Sequence, residues 1–136
     1  MPTLTAEQAF QLAQNYSEIA HETDLYRFRN FENLDAEERA SLENRARLIR
    51  NFSSDFIAIS IALDLDDLDG TLRNIEQATT RMRRAIKRLR RIGNVIKVLT
   101  AGITLAGALT SGSPAAVFSA LEMVAISVNE ATRDEA

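Results

Sequence analysis

Cysteine is absent from the 136-residue chain, which excludes disulfides, thiolate metal sites and a cysteine nucleophile. Tryptophan is absent too, and two prolines and five glycines leave few helix breakers, which suits long helices. One histidine is too few for a His-based metal centre built from two helices. Apolar and polar residues nowhere alternate at period two over a useful length, so no sheet is expected. There is no internal repeat and no low-complexity linker, and residues 1–30 are polar, so no secretory leader is expected.

What is present is a segregated charge pattern under a net charge of −3. Residues 1–80 carry 7 basic and 15 acidic side chains, residues 81–97 carry 8 basic and none acidic, and residues 98–136 carry 1 basic and 4 acidic. A block of one sign implies either an intramolecular match or an anionic partner. The acids on the first two helices, Glu32, Glu37, Glu38, Glu43 and Asp55, are the expected intramolecular match. Nucleic acid is a poor candidate, because the pI is about 5.2 and no aromatics interleave the basic run.

Helical spacing dominates, and one all-α domain is expected over residues 1–136: amphipathic helices over 1–92, then an apolar helical hairpin over 93–131. Thr5-Ala6-Glu7-Gln8 fits a capping box opening a first helix over about 6–29. Asp35 caps a second, which runs to about Leu63 with Leu42, Ala46, Ile49, Phe52, Phe56 and Ile59 on one stripe. Leu65, Leu68, Leu72, Ile75, Thr79, Met82, Ile86, Leu89, Gly93 and Ile96 then recur at spacings of 3 and 4 without a break. That is a heptad seam, and it predicts a long third helix bent near Gly93, with Leu65, Leu68, Leu72, Ile75, Met82, Ile86 and Leu89 as a self-association surface. Ser111-Gly112-Ser113-Pro114 is a stop–start signal, and a fourth helix over about 115–130 follows it. The expected architecture is an antiparallel bundle of four main helices.

The hairpin, residues 98–128, has Glu122 as its single charge. Gly102 and Ala106 form a small-xxx-small pair suited to close helix contact. Its arms, residues 98–110 and 115–128, give only about 20 Å each against the roughly 30 Å of a bilayer core; the first reaches a full span only by starting near Ile92 and carrying Lys97. Ile103, Leu105, Leu109, Val117, Leu121 and Val124 are expected among the most buried residues of a soluble form. As a binding surface, the expectation names Arg81, Arg84, Lys87, Arg88, Arg91 and Lys97 for anionic headgroups, and Ile103, Leu105, Leu109, Val117, Phe118 and Leu121 for the apolar contact.

Three constellations of reactive residues weigh little. Glu18 and His21 have the i, i+3 spacing of half a di-metal site, with no second half. Ser17, His21 and Asp24 share a helix face but lack the cleft and oxyanion donors that hydrolysis requires. Asp67, Asp69, Gly70, Leu72 and Glu76 fall at positions of a Ca²⁺ loop whose first ligand position is Leu65. No catalytic, metal or cofactor role is therefore expected, and the chain reads as non-enzymatic.

Residues 98–128 resemble the hydrophobic hairpin of pore-forming colicins and related α-helical toxins. There too an Ala/Gly-rich helix, a short Gly-Ser-Pro-type turn and a second apolar helix lie beside cationic residues. The resemblance implies membrane association and a bilayer-perturbing or pore-forming role. The competing expectation is a soluble, self-associating bundle acting as a structural or adaptor protein. Expected partners are a second copy of the chain and an anionic membrane or a helical protein, in the cytoplasm or at a membrane facing it.

Overall fold

The computed structural model describes residues 4–58 and 68–136, and among these there are helices and no strand. Five helices follow in order: α1 (Ala6–Arg29), α2 (Ala36–Ala58), α3 (Leu68–Arg88), α4 (Ile92–Ser111) and α5 (Pro114–Asp134). One 3-10 turn, Phe31–Asn33, joins the first two. The expected four main helices are thus corrected to five. The long third helix is two helices, and the break falls at residues 89–91 rather than near Gly93, which sits in the first turn of α4.

Local chemistry accounts for the first starts. Thr5 Oγ1 accepts from the Gln8 N–H at 3.1 Å, and Gln8 Oε1 accepts from the Thr5 N–H at 2.9 Å. Asp35 and Glu38 repeat this capping box at α2, at 2.8 and 2.9 Å. Each cap stabilises its helix by about 1 kcal/mol. Residues 59–63, the expected end of the second helix, lie outside the described residues.

The break has no such local cause. Arg91 caps α4 with an extended backbone, φ −89° and ψ 128°, and offers no side-chain cap. Its neighbours' unpaired backbone groups are satisfied from a distance. Glu135 accepts from the Arg90 and Arg91 N–H groups at 2.7 and 3.1 Å. The Tyr26 hydroxyl donates to the Arg90 carbonyl at 2.7 Å, and the Arg29 guanidinium donates to the Lys87 carbonyl at 3.3 Å. At this largely exposed break each such bond contributes about 0.5–1.5 kcal/mol, so together these contacts favour the break.

α1 packs on α2 and α3, α4 on α2, α3 and α5, and α3 on α5. The core is led by Tyr16, Ile19, Leu42, Ile49, Phe56, Ile75, Met82, Ile86, Leu99 and Leu105, all fully buried. Each such side chain contributes about 1.5–3 kcal/mol. Tyr16 packs edge-on against Phe56 at 5.2 Å between ring centres. Its hydroxyl donates to the Gly102 carbonyl at 2.9 Å, which ties α1 to α4. Burial pushes the Tyr16 phenol well above its ordinary range, so the ring stays neutral and its proton stays on the donor. The seam residues Ile75, Met82, Ile86 and Leu89 are buried within the chain's own core, and Leu72 is half-buried. Leu65 and the Leu68 side chain lie outside the described residues.

Gly102 is a point of close approach: a Cβ there would stand 3.0 Å from Met82 Sδ. Gly107 on the same helix has open space around it. Gly107→Ala should therefore raise the urea midpoint of unfolding by the equivalent of about 0.5–1 kcal/mol, the helix-propensity gain. Gly102→Leu should lower it by about 1–3 kcal/mol, because Met82 occupies the space the side chain would enter. Equal effects of the two substitutions would mean that α4 does not pack on α1 and α3 as described.

Candidate functional site

The apolar hairpin forms as the sequence predicts. Gly112 ends α4 in the left-handed region, φ 72°, which favours glycine over any residue with a Cβ. Ser113 Oγ then accepts from the Ala116 N–H, and Pro114 takes the first helical position. α4 is longer than the uncharged arm alone. Its 20 residues give about 30 Å at 1.5 Å per residue, and the 21 of α5 slightly more. Both helices are long and apolar enough to cross a membrane, which by itself is weak evidence, since core helices pass the same test.

The two arms differ in cover. Half of the most apolar window of α4 is buried, against 28% for α5. Leu105, Leu109, Val117 and Val124 are fully buried, whereas Ile103 and Leu121 are only partly covered. On the outer face of α5, Phe118, Met123 and Ile126 are 54%, 45% and 49% exposed. Glu122 shares that face and is exposed.

α3 lies beside this surface. A groove of about 310 Å³ between α3 and α5 is lined by Ala78, Arg81, Phe118, Leu121, Glu122 and Ala125. Arg81 also lines an adjoining groove with Arg73, Glu76 and Arg84. Arg81, Arg84, Lys87 and Arg88 are exposed and make no ion pair among the described residues. Among the described residues, Arg83 alone of the basic run forms an ion pair with the expected helices, with Glu18 of α1. Arg90, Arg91 and Lys97 pair instead with Glu135, which caps the end of α5, and with Asp134 and Glu130 of α5, at 3.7, 2.9 and 3.2 Å. Glu43 spends its charge on Arg27 and Arg47.

These last pairs form a clasp at the open end of the hairpin. Asn94 donates to both Asp134 and Glu135 at 2.9 Å, and the Glu135 side chain is only 8% exposed. Hydrogen bonds from Asn94 and Arg91 hold the Asp134 carboxyl below the usual range. For Glu135, burial works to raise the pKa, but bonds from Asn94 and from the Arg91 and Arg90 N–H groups outweigh it, and the net shift is downward. Burial and then the Glu135 charge push the Tyr26 phenol upward, against the pull of Arg29.

The reactive constellations do not assemble. Glu18 is engaged by Arg83, and Asp24 by Arg27 and Arg50. His21 and Ser17 are exposed. His21 shares a shallow groove with Glu18, Glu22, Arg83, Arg84 and Lys87, where one Glu22 carboxylate oxygen is buried without a donor. No group of three or more His, Asp or Glu is placed to hold a metal ion among the described residues. The Ca²⁺-loop positions at Leu65 and Asp67, and the Asp69 side chain, lie outside the described residues.

No protein family, curated protein or solved structure matches the chain.

The clasp sets a pH dependence. The folded pKa values of Asp134 and Glu135 are depressed, so their contribution to stability is complete above the unfolded value of about 4 and is lost as pH falls below it. The urea midpoint should therefore fall on acidification. Asp134→Asn with Glu135→Gln should lower the midpoint at neutral pH and flatten that acid dependence. An unchanged acid slope in the double variant would show that the clasp is not the source.

Proposed function

We propose that the protein is a non-enzymatic, membrane-associating helical protein. Its α4–α5 hairpin is the element that meets the bilayer, and the free cations of α3 attract anionic headgroups. The observation that carries the reading is a juxtaposition: an incompletely covered apolar α5 face lies in a groove with Arg81, on a helix whose exposed Arg84, Lys87 and Arg88 likewise make no ion pair among the described residues.

Magnitudes show how the contact divides. Moving Phe118, Met123 and Ile126 from half exposure into lipid gains about 1 kcal/mol each. Placing Glu122 at membrane depth costs about 3 kcal/mol. These terms nearly cancel, so the closed bundle has little purely apolar affinity. Each cation near an anionic surface adds about 1 kcal/mol, which makes the basic patch the deciding contribution. α4 is better placed to enter, because its one charge, Lys97, lies near its start and can snorkel. Perturbation of the bilayer, as the toxin resemblance implies, would follow from that entry.

A second reading is a soluble bundle that self-associates, with the exposed apolar face of α5 covered by another copy. It is favoured by the complete burial of Val95, Val98, Leu99, Leu105 and Leu109, which already satisfies α4 in water. Cytoplasmic placement suits either reading.

Co-sedimentation with anionic liposomes separates them. The wild type should bind at low salt, and added salt should release it, since screening shortens the reach of surface charge to about 8 Å at physiological strength. Changing Arg81, Arg84, Lys87 and Arg88 together to Gln should weaken binding by about a hundredfold or more. Lipid-free stability should shift by less than about 0.5 kcal/mol per site, because these exposed side chains make no ion pair among the described residues. No binding by the wild type at low salt would remove the membrane reading and leave the soluble bundle.

A further inference from the structure

The helix break at residues 89–91 is built from side chains that belong to other helices. In an unbroken helix the Arg90 N–H would bond Ile86, the Arg91 N–H would bond Lys87, and the Arg90 carbonyl would accept from Asn94. Here Glu135 holds both N–H groups, Tyr26 holds the Arg90 carbonyl and Arg29 the Lys87 carbonyl. Nothing in residues 89–91 resists a helix: Leu and Arg are good helix formers, and no proline is near. The apolar spacing also runs through the break, from Met82, Ile86 and Leu89 to Gly93 and Ile96. Sequence and local propensity favour one helix; the α1 and α5 side chains impose two.

We infer that residues 89–91 are a conditional hinge latched by the α5 carboxylates, and that opening the clasp lets α3 and α4 join into one continuous helix. Joining removes α4 from α2 and from its place beside α3, breaking the Tyr16 bond to Gly102 and exposing Val98, Leu99, Leu105 and Leu109. In water that loss of burial keeps the hinge bent. An apolar medium removes the penalty, and the clasp is then what still opposes joining. The hinge stands on the hydrogen bonds alone. Its consequence, that the clasp regulates delivery of the hairpin to a bilayer, rests on the function proposed above.

Distances between spin labels test the hinge, and the lack of native cysteine makes labelling selective. Gln77→Cys and Thr104→Cys place labels at exposed positions on two packed helices. In a joined helix these positions, 27 residues apart, would be separated by about 40 Å. Double electron–electron resonance is measured in buffer and in micelles of a neutral maltoside detergent, which solvate apolar helix faces whatever the protein does at anionic bilayers. In buffer every form should give only the short distance. In micelles, Asp134→Asn with Glu135→Gln should show a narrow population near 40 Å, at least about twofold larger than in the wild type. Ile92→Pro should abolish it. Proline at the first position suits the start of α4 and the extended Arg91 before it, but cannot continue a helix. Circular dichroism separates joining from unfolding, since joining keeps the helix content. The hinge is overturned if the clasp variant shows only the short distance in micelles, if the long distance persists with Ile92→Pro, or if lengthening comes with loss of helix. Failure of the wild type to bind anionic liposomes would overturn the membrane consequence and leave the hinge standing.

Discussion

Four backbone groups around residues 87–91 find no partner within α3 or α4, and the placing of the hairpin depends on the Tyr26, Arg29 and Glu135 side chains that satisfy them. Without the turn they stabilise, α4 could not fold back, and Gly102 could not reach both Met82 and the Tyr16 hydroxyl. The core residues of α4 would then lie in water, at about 1.5–3 kcal/mol each. A few hydrogen bonds thus control a much larger quantity of apolar burial. Each is worth roughly 0.5–1.5 kcal/mol between neutral groups and more where a carboxylate accepts.

The same clasp resolves the charge segregation of the sequence. The end of the basic run, Arg90, Arg91 and Lys97, is consumed by Glu135, Asp134 and Glu130, so these cations are structural. Its middle, Arg81, Arg84, Lys87 and Arg88, makes no ion pair among the described residues and lies on the helix that flanks the apolar α5 face. One continuous run in the sequence therefore serves two ends: one part holds the hairpin, the other is available to an anionic surface. Surface ion pairs are individually weak, but the pairs at the clasp share Asn94 and two backbone N–H groups, which fixes their geometry.

What was legible in the sequence was what is locally determined. The capping box at Thr5, the Asp35 cap and the Gly112-Ser113-Pro114 turn depend on residues within four positions of each other, and each formed as its chemistry requires. The break at residues 89–91 was not legible, because Glu135 lies 44 or more residues away and the local spacing argues for continuity. Gly93 drew attention as the obvious weak point, yet it sits comfortably in the first turn of α4. Charge matching failed for the same reason: opposite blocks were visible, but which acids face which bases is set by tertiary placement. For Ile103 and Leu121, lack of nearby charge suggested full burial; their positions toward the hairpin's outer side leave them half-covered.

Membrane association as proposed brings the outer face of α5 against lipid. A spin label at Phe118, introduced as Phe118→Cys in the cysteine-free chain, reports that contact directly through its collision rates with oxygen, which concentrates in bilayers, and with a water-soluble nickel chelate. With anionic liposomes present, the account predicts a rise in oxygen collisions and a fall in nickel collisions relative to the protein in buffer, and no such change for a label at Asn44 on the exposed side of α2. Collision rates at Phe118 that stay at their aqueous values in liposome-bound protein would contradict it.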